Sequence, residues 1–317
     1  MSAVKTTMET PPTLLEAVRY FSDKQVCHDY LTALRWPEGV TCPHCGTAKP
    51  YYIKTRRIWR CRAKECAKQF SVKVGTIFED SPIGLDKWLV ALWMIGGAKN
   101  GISSYEVHRA IGVTQKTAWF MLHRIRLAMQ TKSFEKLSGE VEADETYIGG
   151  KLSNKKGARR LACAKGRGAV GKAVVMGLLE RKGEVRTKVV KDAKRTTLHP
   201  EVRANVAPGS HLYTDFLASY TGLEQEYIHE TINHAEAYVR GNVHTNSLEN
   251  YWSLLKRCIR GTYVSVEPFH LFRYLDEEDF RFNHRKNNDA GRFQLIAGNV
   301  VGKRLTYKAL IGEGPAV

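Results

Sequence analysis

The stretch 141–160, VEADETYIGGKLSNKKGARR, sets an acidic strand pattern directly before a basic block and decides how the second half of the chain is interpreted. Its acids stand in a run that alternates like a β-strand, in which residues two apart share a face. By that alternation Glu142 and Asp144 face one side, and Glu145 faces the other. Two glycines follow, and residues 151–172 then contain lysines and arginines but no acid. Acid beside concentrated positive charge fits either a solvated turn or a metal site that handles a polyanion.

The bulk composition points to polyanionic partners. The chain has 317 residues, of which 43% are hydrophobic, enough for two or three domains with real cores. The formal net charge is +17 and the pI is about 9.6. This excess favours nucleic acid or an acidic membrane surface, but it says nothing about sequence specificity, because attraction to phosphate is sequence-blind.

Membrane insertion and secretion are not expected. The longest apolar stretch, WLVALWMIGGA from Trp88, falls short of the roughly 20 residues that cross a bilayer. The first residues, MSAVKTTMETPPT, lack the charged start and apolar core of a secretory signal. We therefore expect a cytoplasmic, nucleoid-associated protein with no membrane partner.

The order of patterns along the chain predicts a multidomain protein. Helical periodicity comes first, a turn-rich cysteine-bearing segment follows, and further helices lead into a half where strands precede helices, as in mixed α/β folds. The predicted boundaries are an N-terminal helical segment at 1–38, a cysteine module at 39–78, a helical region at 79–132, a mixed α/β domain at 139–290 and a C-terminal tail at 291–317.

Four cysteines fall into two close pairs. Cys42 and Cys45 stand in CPHCG, and Cys61 and Cys66 follow in CRAKEC after fifteen intervening residues. Soft thiolates suit zinc, and four of them close a tetrahedron, so the spacing predicts a zinc ribbon with one structural Zn²⁺. Such an ion would hold together a module too small to fold on its own core. Scattered reduced cysteines are the alternative, which two tight pairs disfavour.

A basic stretch lies between the cysteine pairs. In YYIKTRRIWR, aromatic residues alternate with Arg56, Arg57 and Arg60. Such interleaving suits contact with phosphates and bases, and we expect these arginines to bind DNA. A hairpin with one packed and one solvated face explains the same pattern equally well.

A second candidate for DNA contact lies in the helical region. The sequence SSYEVHRAIGVTQKTAWFMLHRIRLAM places Gly112 between two helical patterns, and it resembles a helix-turn-helix. On its second helix we expect Gln115, Lys116 and Arg124 to contact DNA. Many helical hairpins have this pattern without touching DNA.

Three distant acids are candidates for a second metal site. Asp144 lies in the first strand of the α/β half, Asp215 ends the strand HLYTDF, and Glu249 begins the helix TNSLENYWSLLKR. Magnesium prefers oxygen ligands, and carboxylates from two strands and a facing helix can hold two ions. Lys256, seven residues on, shares the helix face of the glutamate and would contact phosphate. Taken singly, each acid is more ordinarily structural. Competing candidates nearby are Glu142, Glu145, His244 and Asn246.

The blocks VEADETYIGGK, LYTDFLASY and HTNSLENYWSLLKRCIRGTY, in this order, resemble the catalytic blocks of a DDE-type insertion-sequence transposase. The branch it resembles has an N-terminal zinc ribbon, then helices, then a ribonuclease H-like catalytic domain, and the resemblance covers about residues 15–290. It implies that Asp144, Asp215 and Glu249 bind two Mg²⁺ or Mn²⁺ ions per active site. Lys256 matches a basic residue of the family's third block. Some members carry Asn in place of the third acid, whereas this chain has glutamate.

The resemblance also implies an activity and partners. Such an enzyme binds terminal inverted repeats, cuts a strand to free a 3′-hydroxyl and joins it to target DNA, as a homodimer or larger assembly. The basic block would meet DNA phosphate, unless it is merely a solvated insertion. Residues expected to do so are Lys155, Lys156, Arg159, Arg160, Lys256 and Arg257. Two other functions fit the sequence: a catalytically inactive, domesticated DNA-binding regulator, and a ribonuclease H-like nuclease or resolvase that cuts without strand transfer.

Overall fold

The computed structural model describes residues 10–131, 134–150, 171–215, 218–232 and 244–313. The chain divides into two compact units. The first combines residues 1–129 with residues 286–317, and the second comprises residues 130–285. Within the described ranges, no helix has the length and apolar character needed to cross a membrane. The second unit is thus one uninterrupted stretch of sequence, whereas the first is assembled from both ends of the chain.

Helices within the described residues begin at capping residues such as Thr13, Asp23 and Ser103, whose side chains accept a backbone N–H of the first turn. The helices are α1 (Leu14–Tyr20), α2 (Lys24–Arg35), α3 (Leu85–Gly97), α4 (Ser104–Ile111), α5 (Gln115–Met129), α6 (Arg195–Asn205), α7 (Asn246–Cys258), α8 (Leu271–Asn283), α9 (Asp289–Gly298) and α10 (Tyr307–Leu310). The strands are β1 (Tyr51–Ile53), β2 (Ile58–Arg60), β3 (Gln69–Phe70), β4 (Glu140–Ile148), β5 (Ala173–Glu180), β6 (Val185–Val190), β7 (His211–Asp215) and β8 (Ile228–Ile232).

The cysteine module contains a small antiparallel sheet in the order β1-β2-β3. Trp59 in its central strand is buried and stacks on Phe70, with ring centroids 5.8 Å apart. Arg56 and Arg57, which precede β2, and Arg60 at its end are exposed. The hairpin therefore has one packed and one solvated face, and the arginines singled out in the sequence lie in the solvated part.

Helices α4 and α5 form the predicted pair around Gly112. This glycine has a φ of +62°, in the left-handed region that glycine adopts without strain, and its N–H donates to the His108 carbonyl of α4. Helix α5 begins after Thr114, whose hydroxyl accepts from the backbone N of Thr117 at 3.2 Å. Every residue from Met121 to Met129 is buried. Most of α5 is therefore core of the first unit.

The end of the chain belongs to the first unit. Helix α9 packs on α3, where Gly96 permits a close approach, because a Cβ there would lie 3.2 Å from Ile296 Cδ1. Phe293 of α9 is fully buried, with its ring 5.7 Å from that of Phe21. The sequence predicted a C-terminal tail at 291–317, and most of α9 and all of α10 lie in that range. Helix α9 packs through Phe293 on Phe21 near the start of the chain, and α10 packs through Leu310 on Leu127 of α5.

The second unit is built on a five-stranded mixed sheet in the order β6-β5-β4-β7-β8. Strands β4, β5 and β6 pair antiparallel, and a tight turn joins the last two in a hairpin. Strands β7 and β8 instead run parallel to β4. Since parallel strands need a crossover connection, α6 precedes β7 in the chain. Strand β4 consequently lies at the centre of the sheet.

Apolar clusters cover both faces of this sheet. On one face, Leu198 and Val202 of α6 pack with Val141 and Ala143 of β4. On the other face, α7 and α8 pack against β5 and β6 through residues such as Leu248. Odd-numbered residues at the start of β4 thus face α6. The even-numbered ones, which include Glu142 and Asp144, face α7.

Candidate active site and metal centres

The acids of β4 divide between its two faces. Glu142 Oε2 accepts from the backbone N of Leu248 in α7 at 2.9 Å, and Asp144 Oδ2 accepts from Trp252 Nε1 at 2.9 Å. Glu145 bonds to a residue that packs on the α6 face. The alternation inferred from the sequence is therefore confirmed. Glu142 has no exposed surface and is already engaged by α7, so Asp144 is the ligand candidate on that face.

Asp144 and Asp215 occupy neighbouring positions on adjacent strands, with Asp144 in the middle of β4 and Asp215 at the end of β7. In the parallel register of β4 and β7 the last pair is Ala143 with Thr214, so the next residue of each strand is one of these acids. The pKa of Asp144 is raised to about 6, first by burial and then by the charge of Asp215, while the hydrogen bond from Trp252 opposes the rise. The two carboxylates repel each other, and a cation between them would relieve that repulsion.

Glu249 reaches the same region from α7. It is exposed in the first turn of that helix, and its charge adds to the rise in the pKa of Asp144. Asp144 and Glu249 line one cavity of about 540 Å³. The other lining residues are Glu145, Thr146, Trp252, Ser253, Lys256, Arg257 and Arg260. Asp215 acts on this cavity through its charge rather than as part of its wall.

The three acids are not drawn together as tightly as metal ligands. Within the ranges that the structure describes, only the four cysteines form a group of three or more Cys, His, Asp or Glu ligand atoms lying within 4.8 Å of one another. Like charges in a partly buried site repel one another, and a cation among the carboxylates would offset that repulsion.

Trp252 orients Asp144, and Gly177 makes room for Trp252. Gly177 is the residue of β5 paired with Asp144, and a Cβ there would lie 2.6 Å from Trp252 Cζ2. Only glycine therefore leaves room for the indole whose N–H donates to the carboxylate. Neither residue was among the sequence-predicted site residues. A glycine within the apolar strand pattern AVVMGLLE was the available signal, since such glycines mark a close approach.

Cations line the same cavity as the acids. Lys256 of α7 is half-buried, and its pKa is lowered by burial and by Arg260, while Asp144 opposes that effect. Arg257 and Arg260 are exposed. A phosphate in this cavity would meet ammonium and guanidinium donors on the side of α7.

Glu145 also lines the cavity, and its pKa is higher than that of Asp144. Its pKa is raised to about 8, mainly by burial and also by the charges of Asp144 and Asp215, while a hydrogen bond from the Tyr220 hydroxyl opposes the rise. The raised pKa favours the protonated form of this carboxyl group at neutral pH. A protonated carboxyl is a poor ligand for a hard cation.

The four cysteines predicted to bind zinc are assembled in the first unit. The Sγ atoms of Cys42 and Cys66 lie 3.8 Å apart, and those of Cys45 and Cys61 lie 3.4 Å apart. Tetrahedral Zn²⁺ with Zn–S bonds of about 2.3 Å separates its sulfurs by about 3.8 Å. The donor set and its spacing both fit one structural Zn²⁺.

The other predicted DNA contacts of the first unit differ in exposure. Lys116 is exposed at the start of α5, with its Nζ 4.8 Å from the centre of the Tyr307 ring. Gln115 is half-buried and donates to the Ser104 hydroxyl at 2.9 Å, which ties α5 to α4. Lys116 therefore remains the more accessible of the two.

Arg124 has an internal role instead of the expected DNA contact. It is 5% exposed. Its guanidinium donates to the backbone carbonyls of Leu305, Ile77 and Glu79 at 2.8–3.0 Å. A guanidinium held by three carbonyls of its own unit is not free to read DNA.

Four predicted DNA contacts, Lys155, Lys156, Arg159 and Arg160, lie outside the described residues.

Comparisons with known proteins bear on both units. Residues 22–69 match the model of a transposase zinc-ribbon domain, and residues 136–283 match the model of an ISXO2-like transposase domain. A protein of the transposable element ISH50 from Halobacterium salinarum is 27% identical over 251 residues, which cover 76% of this chain and 84% of the relative. A transposase-like protein of Haemophilus influenzae is 32% identical over 123 residues, 38% of this chain and 99% of the relative. The chain therefore belongs to the transposase family in which a zinc ribbon precedes an ISXO2-like transposase domain.

Proposed function

We propose that this transposase is a metal-dependent enzyme that cuts DNA at the ends of an insertion sequence and transfers the freed 3′-hydroxyl into target DNA. One observation carries the proposal. Asp144 from β4 and Glu249 from α7 line a single cavity whose remaining wall includes the cations of α7 and the turn after it. Acids for a metal and cations for phosphate, in one cavity, are what phosphodiester chemistry requires.

The donor set fits divalent magnesium or manganese. Asp144, Asp215 and Glu249 offer only carboxylate oxygens, which hard cations prefer. The pKa of Asp144 is raised by burial and also by the charges of Asp215 and Glu249, and such cations would remove that repulsion. When bound, two ions of this kind activate a water or hydroxyl nucleophile and stabilise the leaving oxygen of an in-line displacement. We therefore assign these three residues as the ligands of two Mg²⁺ or Mn²⁺ ions.

Residues of the chain itself would bind and orient the scissile phosphate. Lys256 lies about two helical turns after Glu249, and Arg260 follows in a π-helical turn at Ile259–Tyr263. Both line the cavity that contains Asp144. The ammonium group supplies a point charge and the guanidinium supplies paired donors. Trp252 donates its indole N–H to Asp144 Oδ2 and so orients that carboxylate.

One site would serve two successive displacements at phosphorus. In the first, water attacks the phosphodiester at the element end and a 3′-hydroxyl leaves. In the second, that hydroxyl attacks a phosphodiester of the target DNA and another 3′-oxygen leaves. Nucleophile and leaving group occupy equivalent positions in both steps, so the same acids and cations can act twice.

The rest of the fold supports this function. The mixed sheet has Asp144 in its central strand and Asp215 at the end of the adjacent parallel strand, which supports a ribonuclease H-like fold for the second unit. The exposed arginines of the zinc ribbon, and Lys116 at the start of α5, support binding of the terminal repeats by the first unit. Because two DNA ends are joined in concert, we further propose a homodimer or larger assembly on DNA.

An assay with labelled repeat ends, a target plasmid and Mg²⁺ tests the proposal. We expect cut ends and joined product from the wild-type protein. Asp215→Ala should abolish both while leaving repeat binding intact. Glu201→Ala, which removes an α6 acid paired with Lys188, is the matched control and should retain activity.

Joined product from Asp215→Ala would refute the assignment of the site. Cutting without joining by the wild-type protein would indicate a nuclease or resolvase. Binding without cutting would indicate an inactive DNA-binding regulator.

A further inference from the structure

A fully buried acid lies two residues before Asp144 in β4. The Glu142 side chain has no exposed surface, and its two oxygens have separate partners. One accepts from Arg181 Nε at 2.9 Å, and the other accepts from the backbone N of Leu248 at 2.9 Å. Leu248 directly precedes Glu249. Glu142 thus links the strand that carries one proposed ligand to the helix turn that carries another.

This bond takes the place of an ordinary helix cap. The cap residue of α7, Thr245, makes no side-chain bond to the first turn. The N–H groups of a first turn lack partners within the helix, and a negative charge is favourable beside them. Glu142 supplies both the acceptor and the charge from a neighbouring strand. The start of α7 is therefore attached to β4 rather than capped by its own sequence.

Arg181, directly after β5, holds this carboxylate in place. Its guanidinium also donates to the His244 carbonyl at 2.8 Å and lies 3.1 Å from the His244 ring nitrogen Nδ1. A third bond runs to Glu140 at 3.2 Å, and the guanidinium stacks 4.2 Å from the centre of the Tyr213 ring in β7. One side chain thereby connects β4, β7 and the residues that lead into α7.

We propose that Glu142 and Arg181 form a clamp that sets the separation of Asp144 and Glu249, and through it the metal affinity of the site. Both act as positioning residues, because neither lines the cavity. The inference rests on the proposed function, since it takes those two acids as ligands. Each ligand lies within two residues of a clamped atom, so a shift of α7 at Leu248 moves Glu249 directly.

A purely stabilising role explains the arrangement less well. A buried ion pair gains little net stability, because the desolvation of two charges offsets their attraction, and apolar residues of similar volume often do as well. The pair instead fixes the orientation of β4 relative to the start of α7. Two oxygens of one carboxylate and the fork of one guanidinium allow a single relative placement of strand and helix.

The test measures Mn²⁺ binding to the full-length, zinc-loaded protein by calorimetry, beside thermal unfolding. We expect Glu142→Gln to weaken Mn²⁺ binding by about 10–100-fold, the range typical of groups that orient metal ligands. Half-saturation of strand cleavage by Mg²⁺ should rise by a similar factor, while the rate at saturating Mg²⁺ should change much less. Leu198→Ala, in the core on the α6 face, should lower the melting temperature without changing Mn²⁺ affinity.

A second variant covers the case in which Glu142→Gln does not fold. Arg181→Lys keeps a charge beside Glu142 but loses the fork that also reaches His244, so Mn²⁺ binding should weaken by a smaller factor. Wild-type Mn²⁺ affinity in either folded variant would overturn the clamp.

Asp144→Asn separates that failure from failure of the proposed site. If Asp144→Asn binds Mn²⁺ as the wild type does, the metal site itself is wrong. If it loses binding while the clamp variants do not, the clamp alone is wrong.

Discussion

The two candidate metal centres differ in how much of the fold each one needs. The cysteine quartet comes from residues 42–66, and its sulfur atoms already lie within 4.8 Å of one another. The acids come from β4, β7 and α7, span residues 144–249, and remain further apart. A site made of two short loops is complete once those loops form. A site made of three packed elements takes its dimensions from the packing, and so depends on side chains that bind no metal.

The largest effect should come from removing one thiolate. Binding of structural zinc contributes on the order of 10 kcal/mol to the folding of small modules, so Cys61→Ser should unfold the ribbon. Loss of bound zinc and of the near-ultraviolet circular dichroism of Trp59 would report it. Binding of Mn²⁺ by the second unit should persist. Cys27→Ser, at a buried cysteine of α2 outside the quartet, should retain zinc. A folded Cys61→Ser protein that still binds one zinc per chain would show that the ribbon does not depend on the complete cysteine quartet.

The packing dependence of the acid site is tested at Gly177. Gly177→Ala brings a methyl group against the Trp252 indole, and overpacking of this kind costs about 1–3 kcal/mol. The indole N–H should move away from Asp144, so cleavage should fall together with stability. Gly150→Ala, where a Cβ meets nothing within 4 Å, is the control and should leave both unchanged. Normal cleavage by Gly177→Ala would show that Trp252 does not orient the ligand.

Protons should compete with metal at the acid site in a defined pH window. The pKa of Asp144 is raised from its ordinary 3.8 to about 6, so the folded protein binds this proton more tightly than the unfolded chain. Its contribution to stability is therefore present below about pH 4 and is lost as the pH rises through about 6. In the metal-free protein, Asp144→Asn should gain stability relative to wild type over that window. Mn²⁺ affinity of the wild type should rise over the same window, by up to about tenfold per pH unit for one proton. A flat pH profile of Mn²⁺ affinity between pH 4 and 7 would contradict this account.

The smallest effect on Mn²⁺ affinity is expected at Glu145, because its pKa of about 8 disfavours a role as a metal ligand. The folded protein retains this proton while the unfolded chain releases it above the ordinary pKa of 4.5, so the contribution to stability is lost as the pH rises from about 4.5 through 8. In the metal-free protein, Glu145→Gln should therefore gain stability relative to wild type over that window. Melting temperatures from about pH 4 to 9 test this sign. A large loss of Mn²⁺ affinity in Glu145→Gln would instead make Glu145 a ligand.

Local features of the chain were predictable from its sequence. Cys42 and Cys45 are separated by two residues, and this local spacing predicts a metal-binding knuckle whatever the rest of the fold is. Period-two alternation correctly separated Glu142 and Asp144 from Glu145, because a strand has no other way to direct its side chains. The assignment of the acids as metal ligands remains a prediction.

Partners at long separation were not predictable. Arg124 has the residue type and helix position of a DNA contact, but it is bonded to carbonyls as far as 181 residues away. Periodicity shows which helix face is apolar, and a buried guanidinium with distant acceptors looks the same in sequence as a solvated one. Trp252 and Asp144 are separated by 108 residues, and their bond depends on a glycine in a third element.

The composition of the first unit from both ends of the chain affects how its parts can be expressed separately. Ending the polypeptide at Arg285 would delete α9, remove Phe293 from its place beside Phe21, and expose the apolar side of α3. An N-terminal fragment of that kind should aggregate, however complete its zinc ribbon. The second unit is the continuous span 130–285, so a fragment with these ends keeps all of its segments together. The unit that contains the acids is therefore the better one to express by itself.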